Sequence, residues 1–139
     1  YQNTPSAPNS ADVKAYSKVQ ADIAAGANDA NQPNSSATPD PSKTSAYQEG
    51  YNIAKGSSDA LNGDTQNTAN TSKDYANAYK DANDGIKGAN NTAPENQTPA
   101  YKAGQQAKTD SQTGANYATN GQTLPTNPTP SRAETDGFT

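Results

Sequence analysis

Histidine, cysteine, methionine and tryptophan are all missing from these 139 residues. Without His, no side chain titrates near neutral pH unless its surroundings shift it. Without Cys there is no thiolate nucleophile, no disulfide framework and no sulfur ligand for zinc. Only Asp, Glu, Lys, Tyr, Ser and Thr remain for catalysis, and each would need a strongly perturbed, buried setting. Large aliphatics are scarce as well. They are Val13, Val19, Ile23, Ile53, Leu61, Ile86 and Leu124, with Phe138 the single Phe. Such a share lies below the roughly 20% of Leu, Ile, Val and Phe under which chains tend to disorder. A deep core is therefore not expected, and the chain reads as non-enzymatic and without a cofactor.

Strong charge is missing too. The formal net charge is −4 and the isoelectric point about 4.6, so self-repulsion is weak and the high-charge half of the disorder signature is absent. The 10 Lys and Arg are scattered, which gives no electrostatic footprint for nucleic acid or an anionic membrane. No apolar run nears the ~20 residues of a membrane span, so no membrane insertion is expected. A chain opening at Tyr1 without a signal-peptide core is expected to be a processed product or an excised fragment. Asn, Thr, Ser, Gly and Pro in abundance suit an exported protein.

What is present is tyrosine, eight in all, and each ring can bury on the order of 150–250 Å² if its hydroxyl finds a partner. Four stretches carry helical spacing. Residues 10–31 place Val13, Tyr16, Val19, Ile23 and Ala27 on one stripe, with Ser10 as the expected N-cap. Residues 45–61 place Tyr47, Gly50, Tyr51, Ala54 and Leu61 on one face, closed by Asn62 and Gly63. Residues 71–89 carry Tyr75, Tyr79, Ala82 and Ile86, with Thr71 or Ser72 as cap. The fourth opens at Thr98 and Pro99, a cap followed by Pro at the first helical position. It runs to about residue 118 through Tyr101, Gly104 and Ala107. The packing set is thus Val13, Tyr16, Val19, Ile23, Tyr47, Gly50, Leu61, Tyr75, Tyr79, Ile86, Tyr101 and Gly104. Residues 1–9, 31–44 and 120–139 read as linkers, each carrying prolines.

An internal repeat follows. Ala15, Tyr16, Ile23 and Gly26-Ala27-Asn28 recur as Ala78, Tyr79, Ile86 and Gly88-Ala89-Asn90, and Ala46-Tyr47-Gln48-Glu49-Gly50 recurs as Ala100-Tyr101-Lys102-Ala103-Gly104. The unit is helix, connector, helix, over residues 10–63 and again over 64–119. Asp136-Gly137-Phe138 echoes Glu49-Gly50-Tyr51 and is a candidate start of another unit. The expected fold is all-α: two such units in a loose four-helix bundle or short stalk, with Pro-rich ends.

The Ala-Tyr-x-x-Gly-Tyr pattern at 46–51, followed by Ala54 and Gly56, resembles Tyr/Gly/Ala/Asn-rich repeats of secreted and wall-attached proteins of lactic acid bacteria. The resemblance spans residues 45–121. It implies a surface protein, secreted or held at the cell wall, whose helical repeats support adhesion or aggregation. Two departures stand against it. Such proteins carry a Leu-Pro-x-Thr-Gly signal, whereas here Leu124-Pro125-Thr126-Asn127-Pro128 has no apolar tail. Gly50-Tyr51 is also matched by Gly104-Gln105.

Candidate sites are few. Helical spacing assigns most tyrosines to packing, and Tyr51 and Tyr117, near the stripe edges, are the candidates for exposed stacking on a glycan. Gly50 and Gly104 sit inside helices, where each costs roughly 1 kcal/mol relative to Ala, which points to close helix approach beneath a partner's tyrosine. Asp81-Ala82-Asn83-Asp84-Gly85 fails the calcium-loop register, which wants Gly at the sixth position and Glu at the twelfth. No metal is expected. Sequons at Asn34, Asn70, Asn90 and Asn96 arise by chance at this composition. The reading is a non-catalytic extracellular spacer or adhesion unit. Its partners would be a host or matrix glycan or protein, or neighbouring repeats. A glycan-binding module and a largely disordered linker or propeptide are the alternatives.

Overall fold

Helix start signals recur along the chain, and the computed structural model, which describes residues 10–89 and 93–139, follows them. The described chain is all-α: α1 (Ser10–Ala30), α2 (Ser45–Leu61), α3 (Lys73–Lys87), α4 (Pro99–Thr119) and α5 (Arg132–Phe138), with one 3₁₀ turn at Pro94–Asn96. Thr44, Ser72 and Thr98 cap α2, α3 and α4, each accepting the backbone N–H three residues on, from Tyr47, Tyr75 and Tyr101. Ser10 is already helical rather than a cap, and residue 9 lies outside the described residues. Left-handed glycines end three helices: Gly63 (φ 77°), Gly88 (φ 70°) and Gly121 (φ 67°). None of the five helices is long and apolar enough to cross a membrane.

The stretch 120–139, expected to be a linker, holds α5. Ser131 accepts the Glu134 N–H while the Glu134 carboxylate accepts the Ser131 N–H, a capping box that starts a helix in a Pro-rich neighbourhood. Composition hid this signal.

Each helix packs chiefly on its neighbours in sequence, with a lighter touch between α2 and α4. The crossings share one geometry. A Cβ on Gly26 would lie 2.9 Å from the Tyr51 nitrogen and closer still to the Tyr47 carbonyl oxygen. Gly56 meets Tyr75 and Tyr79 in the same way, Gly85 meets Tyr101 and Gln105, and Gly114 meets Glu134 and Phe138. In return, Gly50 sits on Ile23, Gly104 on Ala82 and Gly137 on Ser111. Each pair is a local two-fold in which one helix's glycine rides on the other's backbone carbonyl, three residues before the partner glycine. Cα–H···O contacts of this kind contribute about 0.5–1 kcal/mol each. At α2–α3 the return position is Ala78, buried at 4% exposure, so this crossing has one glycine.

Gly26, Gly56, Gly85 and Gly114 follow one another at spacings of 30, 29 and 29 residues. The caps Thr44, Ser72, Thr98 and Ser131 each lie six residues before Gly50, Ala78, Gly104 and Gly137. The geometry therefore repeats with every helix, whereas the sequence matches suggest a two-helix unit. Gly26 corresponds to Gly85 at the crossings and not to Gly88, which is the left-handed cap of α3. Gly137 does occupy the place of Gly50 and Gly104, so the echo at 136–138 is a structural equivalence.

The core is built from tyrosine and alanine. Ala30, Tyr47 and Tyr51 form one buried cluster, and Ala60, Ala78, Ala82 and Ala100 another, with Leu61 and Tyr79 packed against it. Tyr75 is wholly buried and Tyr101 nearly so. Tyr16, Val19, Ile23 and Ile86 are half-buried. Val13 is not a packing residue, being 45% exposed, because α1 is covered by α2 only towards its C-terminal half, around Gly26.

Candidate functional site

Helical side chains lean towards the N-terminus, so tyrosines in the first turns reach back over the connector that precedes them. The Tyr47 hydroxyl donates to the Asp29 carboxylate. The Tyr51 hydroxyl donates to the Ser36 carbonyl at 2.6 Å, and that of Tyr79 to the Asp64 carbonyl at 2.5 Å. Tyr75 donates to Asp59 Oδ2 at 2.6 Å and accepts the Asn67 N–H at 2.9 Å. Tyr101 donates to the Ala89 carbonyl at 3.2 Å. Hydrogen bonding to Asp29, with some desolvation, pushes Tyr47 up to about 12. For Tyr75 burial is the larger cause, then Asp59, and its value also rises to about 12. These hydroxyls fasten the connectors and the preceding helix ends, and the raised values of Tyr47 and Tyr75 keep those two phenols neutral near pH 7.

Tyr51 therefore cannot serve as the exposed stacking platform. It is 5% exposed, and its ring lies 6.2 Å from that of Tyr47. The stripe edge became interior because the connector at 31–44 folds back over it. Tyr117 is half-buried on α4. Gly50 and Gly104 serve close approach as expected, but what lies over them is the backbone of Ile23 and Ala82 rather than a tyrosine ring.

A second recurring feature escaped the sequence. One turn before each crossing glycine stands Asp22, Asn52, Asp81 or Asp110. Thr44 Oγ1 donates to Asp22 and Thr98 Oγ1 to Asp81, both at 3.0 Å, so the cap of one helix is tied to the carboxylate of the previous one. At α2–α3 the amide takes this part. Asn70 Nδ2 donates to Asn52 Oδ1 at 2.8 Å and to the Ala37 carbonyl at 2.9 Å, joining two connectors. Asn70, one of the sequons, is thereby buried at 6% exposure. Lys18 completes the first site, 2.6 Å from Asp22. Its hydrogen bond is the main cause holding the Asp22 carboxyl below its usual range, against some desolvation and with help from Thr44. The spacing was visible, but nothing in it marked which Asp faces a neighbour's cap.

Among the described residues no cluster of acidic side chains is arranged to hold a metal, and every buried side-chain polar atom has a partner. Asp84 of the failed calcium register pairs with Lys80 at 2.6 Å. The concavities are open and shallow. One of about 410 Å³ lies where α2, α3, α4 and α5 meet. Two others, of about 240 and 380 Å³, adjoin along Ile53, Pro99 and Ala100. No family model, no curated protein and no solved structure matches the chain.

Proposed function

We propose that the chain is a non-catalytic repeat module of an extracellular bacterial surface protein, serving as a spacer and adhesion unit. The observation that carries this reading is the crossing repeated at four successive interfaces, each joining a helix to the next. An array held by nearest-neighbour contacts lengthens by stacking, and its stability is approximately the sum of units and interfaces. Polar composition and the likeness to wall-attached repeats support the extracellular setting. The tyrosine anchors on the connectors favour a spacer of defined length over a disordered linker. The glycan alternative has lost Tyr51 to the interior.

Joining one, two and three copies of the chain end to end tests this reading by small-angle scattering and far-ultraviolet circular dichroism. A spacer gives constant helix content per copy and a maximum dimension growing in proportion to copy number. Growth near the square root of length, as for a flexible coil, or loss of helix, would refute it.

A further inference from the structure

The internal repeat exposes a carboxylate that is tied to a helix cap but lacks the lysine its counterpart has. In α1, Asp22 accepts the cap hydroxyl of Thr44 and is paired with Lys18, one turn earlier. In α3, Asp81 accepts the cap hydroxyl of Thr98 in the same way, but the residue one turn earlier is Asn77. Lys80, the nearest lysine in sequence, is bound to Asp84. Asp74 lies two turns before Asp81, roughly 10 Å along α3, and neither carboxylate has an ion pair among the described residues.

Both carboxylates line the concavity of about 380 Å³ whose floor is apolar. Ile53 stands in it, 38% exposed in a chain with very few large aliphatics. Pro99 and Ala100 continue the floor into the adjoining concavity of about 240 Å³, whose far wall is Ile23 and Ala27. The result is an apolar trough with two carboxylates that lack an ion pair at one end, on a chain of net charge −4.

The geometry points to this trough as a docking site for a basic peptide segment of a protein partner. One Lys or Arg reaches Asp81, with Asp74 adding its negative charge roughly 10 Å along the helix, and a neighbouring aliphatic residue lies on Ile53 and Pro99. A long cationic side chain suits both halves, because its methylene stem covers apolar surface while the charged head stays at the wet end. The partner's cation takes the role that Lys18 plays for Asp22. Spacer length and this docking are separate properties, and the scattering experiment is indifferent to the outcome here.

The test titrates the isotopically labelled chain with acetyl-Ala-Lys-Leu-Ala-amide, followed by two-dimensional amide NMR up to about 5 mM, the weak end of measurable affinity. The same peptide with norleucine for lysine is the control. The expected result is saturable shifts at Ile53, Ala78, Asp81 and Ala100, with binding about tenfold weaker for the norleucine peptide and for Asp81→Asn, as for the loss of one charged contact. Asn77→Lys supplies the internal cation, as in α1, and is expected to abolish peptide binding while leaving the helical spectrum intact. Equal binding of both peptides, undiminished binding to Asn77→Lys, or shifts elsewhere or not at all would overturn the proposal. So would concentration-dependent shifts without peptide, which would make the trough a contact between copies.

Discussion

Replacing Gly50 by Ala adds one methyl group where α2 crosses α1. By propensity alone, Gly50→Ala inside a helix is worth about 1 kcal/mol of added stability. At this position the new Cβ would lie 2.9 Å from the Ile23 Cα and nearer still to its carbonyl. Ordinary carbon contacts begin near 3.5 Å, so α1 and α2 must part by on the order of an ångström. Parting weakens both reciprocal Cα–H···O contacts, worth about 0.5–1 kcal/mol each. It also loosens the packing of Tyr47 and Ala30 beside the crossing. Strain from overpacking typically costs about 1–3 kcal/mol, occasionally more. The expected net is a loss of about 1–3 kcal/mol, measured by urea unfolding, with the melting temperature falling by several degrees at roughly 2–8 °C per kcal/mol. Gly26→Ala acts on the same crossing, so the double variant should cost less than the sum of the singles, since residues sharing one contact do not add. A neutral or stabilised Gly50→Ala would refute the argument, because propensity would then be the whole effect and the helices would not be in backbone contact.

The tyrosine anchors make two further expectations. Tyr75→Phe leaves Asp59 without its donor and the Asn67 N–H without its acceptor, and should destabilise by about 1–3 kcal/mol; hydrogen exchange at the Asn67 amide should quicken, and unchanged exchange there would contradict the anchor. Tyr47 and Tyr75 both rise from 10.0 to about 12 in the fold, so the fold favours the neutral phenol. Stability from them is whole below about pH 10, falls as pH climbs, and is lost above about 12; tyrosinate absorbance rising together with loss of helix across that window would bear this out, and full ionisation of all tyrosines near pH 10 with helix retained would not.

Several of the helix ends were legible because their signals are local. Thr98 before Pro99, Ser72 before an acidic first turn, and Gly63 after Asn62 act through the backbone of their own helix, and neighbours in space do not alter them. The glycines at 50 and 104 were likewise readable as close contacts, since a residue unfavourable in a helix needs a reason to be there. α5 was missed because the Pro-rich composition of residues 120–139 outweighed a four-residue capping box. Tyr51 was misplaced because its position on a helical wheel says nothing of a connector folding over it. The one-helix period was hidden by the stronger match between Gly26-Ala27-Asn28 and Gly88-Ala89-Asn90, which sits out of register with the crossings.

An all-helical chain packed through tyrosine and alanine, without sulfur or imidazole side chains, was readable from the residues alone. Those properties follow from residue type and short-range spacing. Helix packing settled which glycine meets which carbonyl, which tyrosines turn inward, and which cap hydroxyl meets Asp81. Each of these depends on how far apart two helices sit and which way they face, and both are set by groups distant in sequence that meet only once the chain has folded.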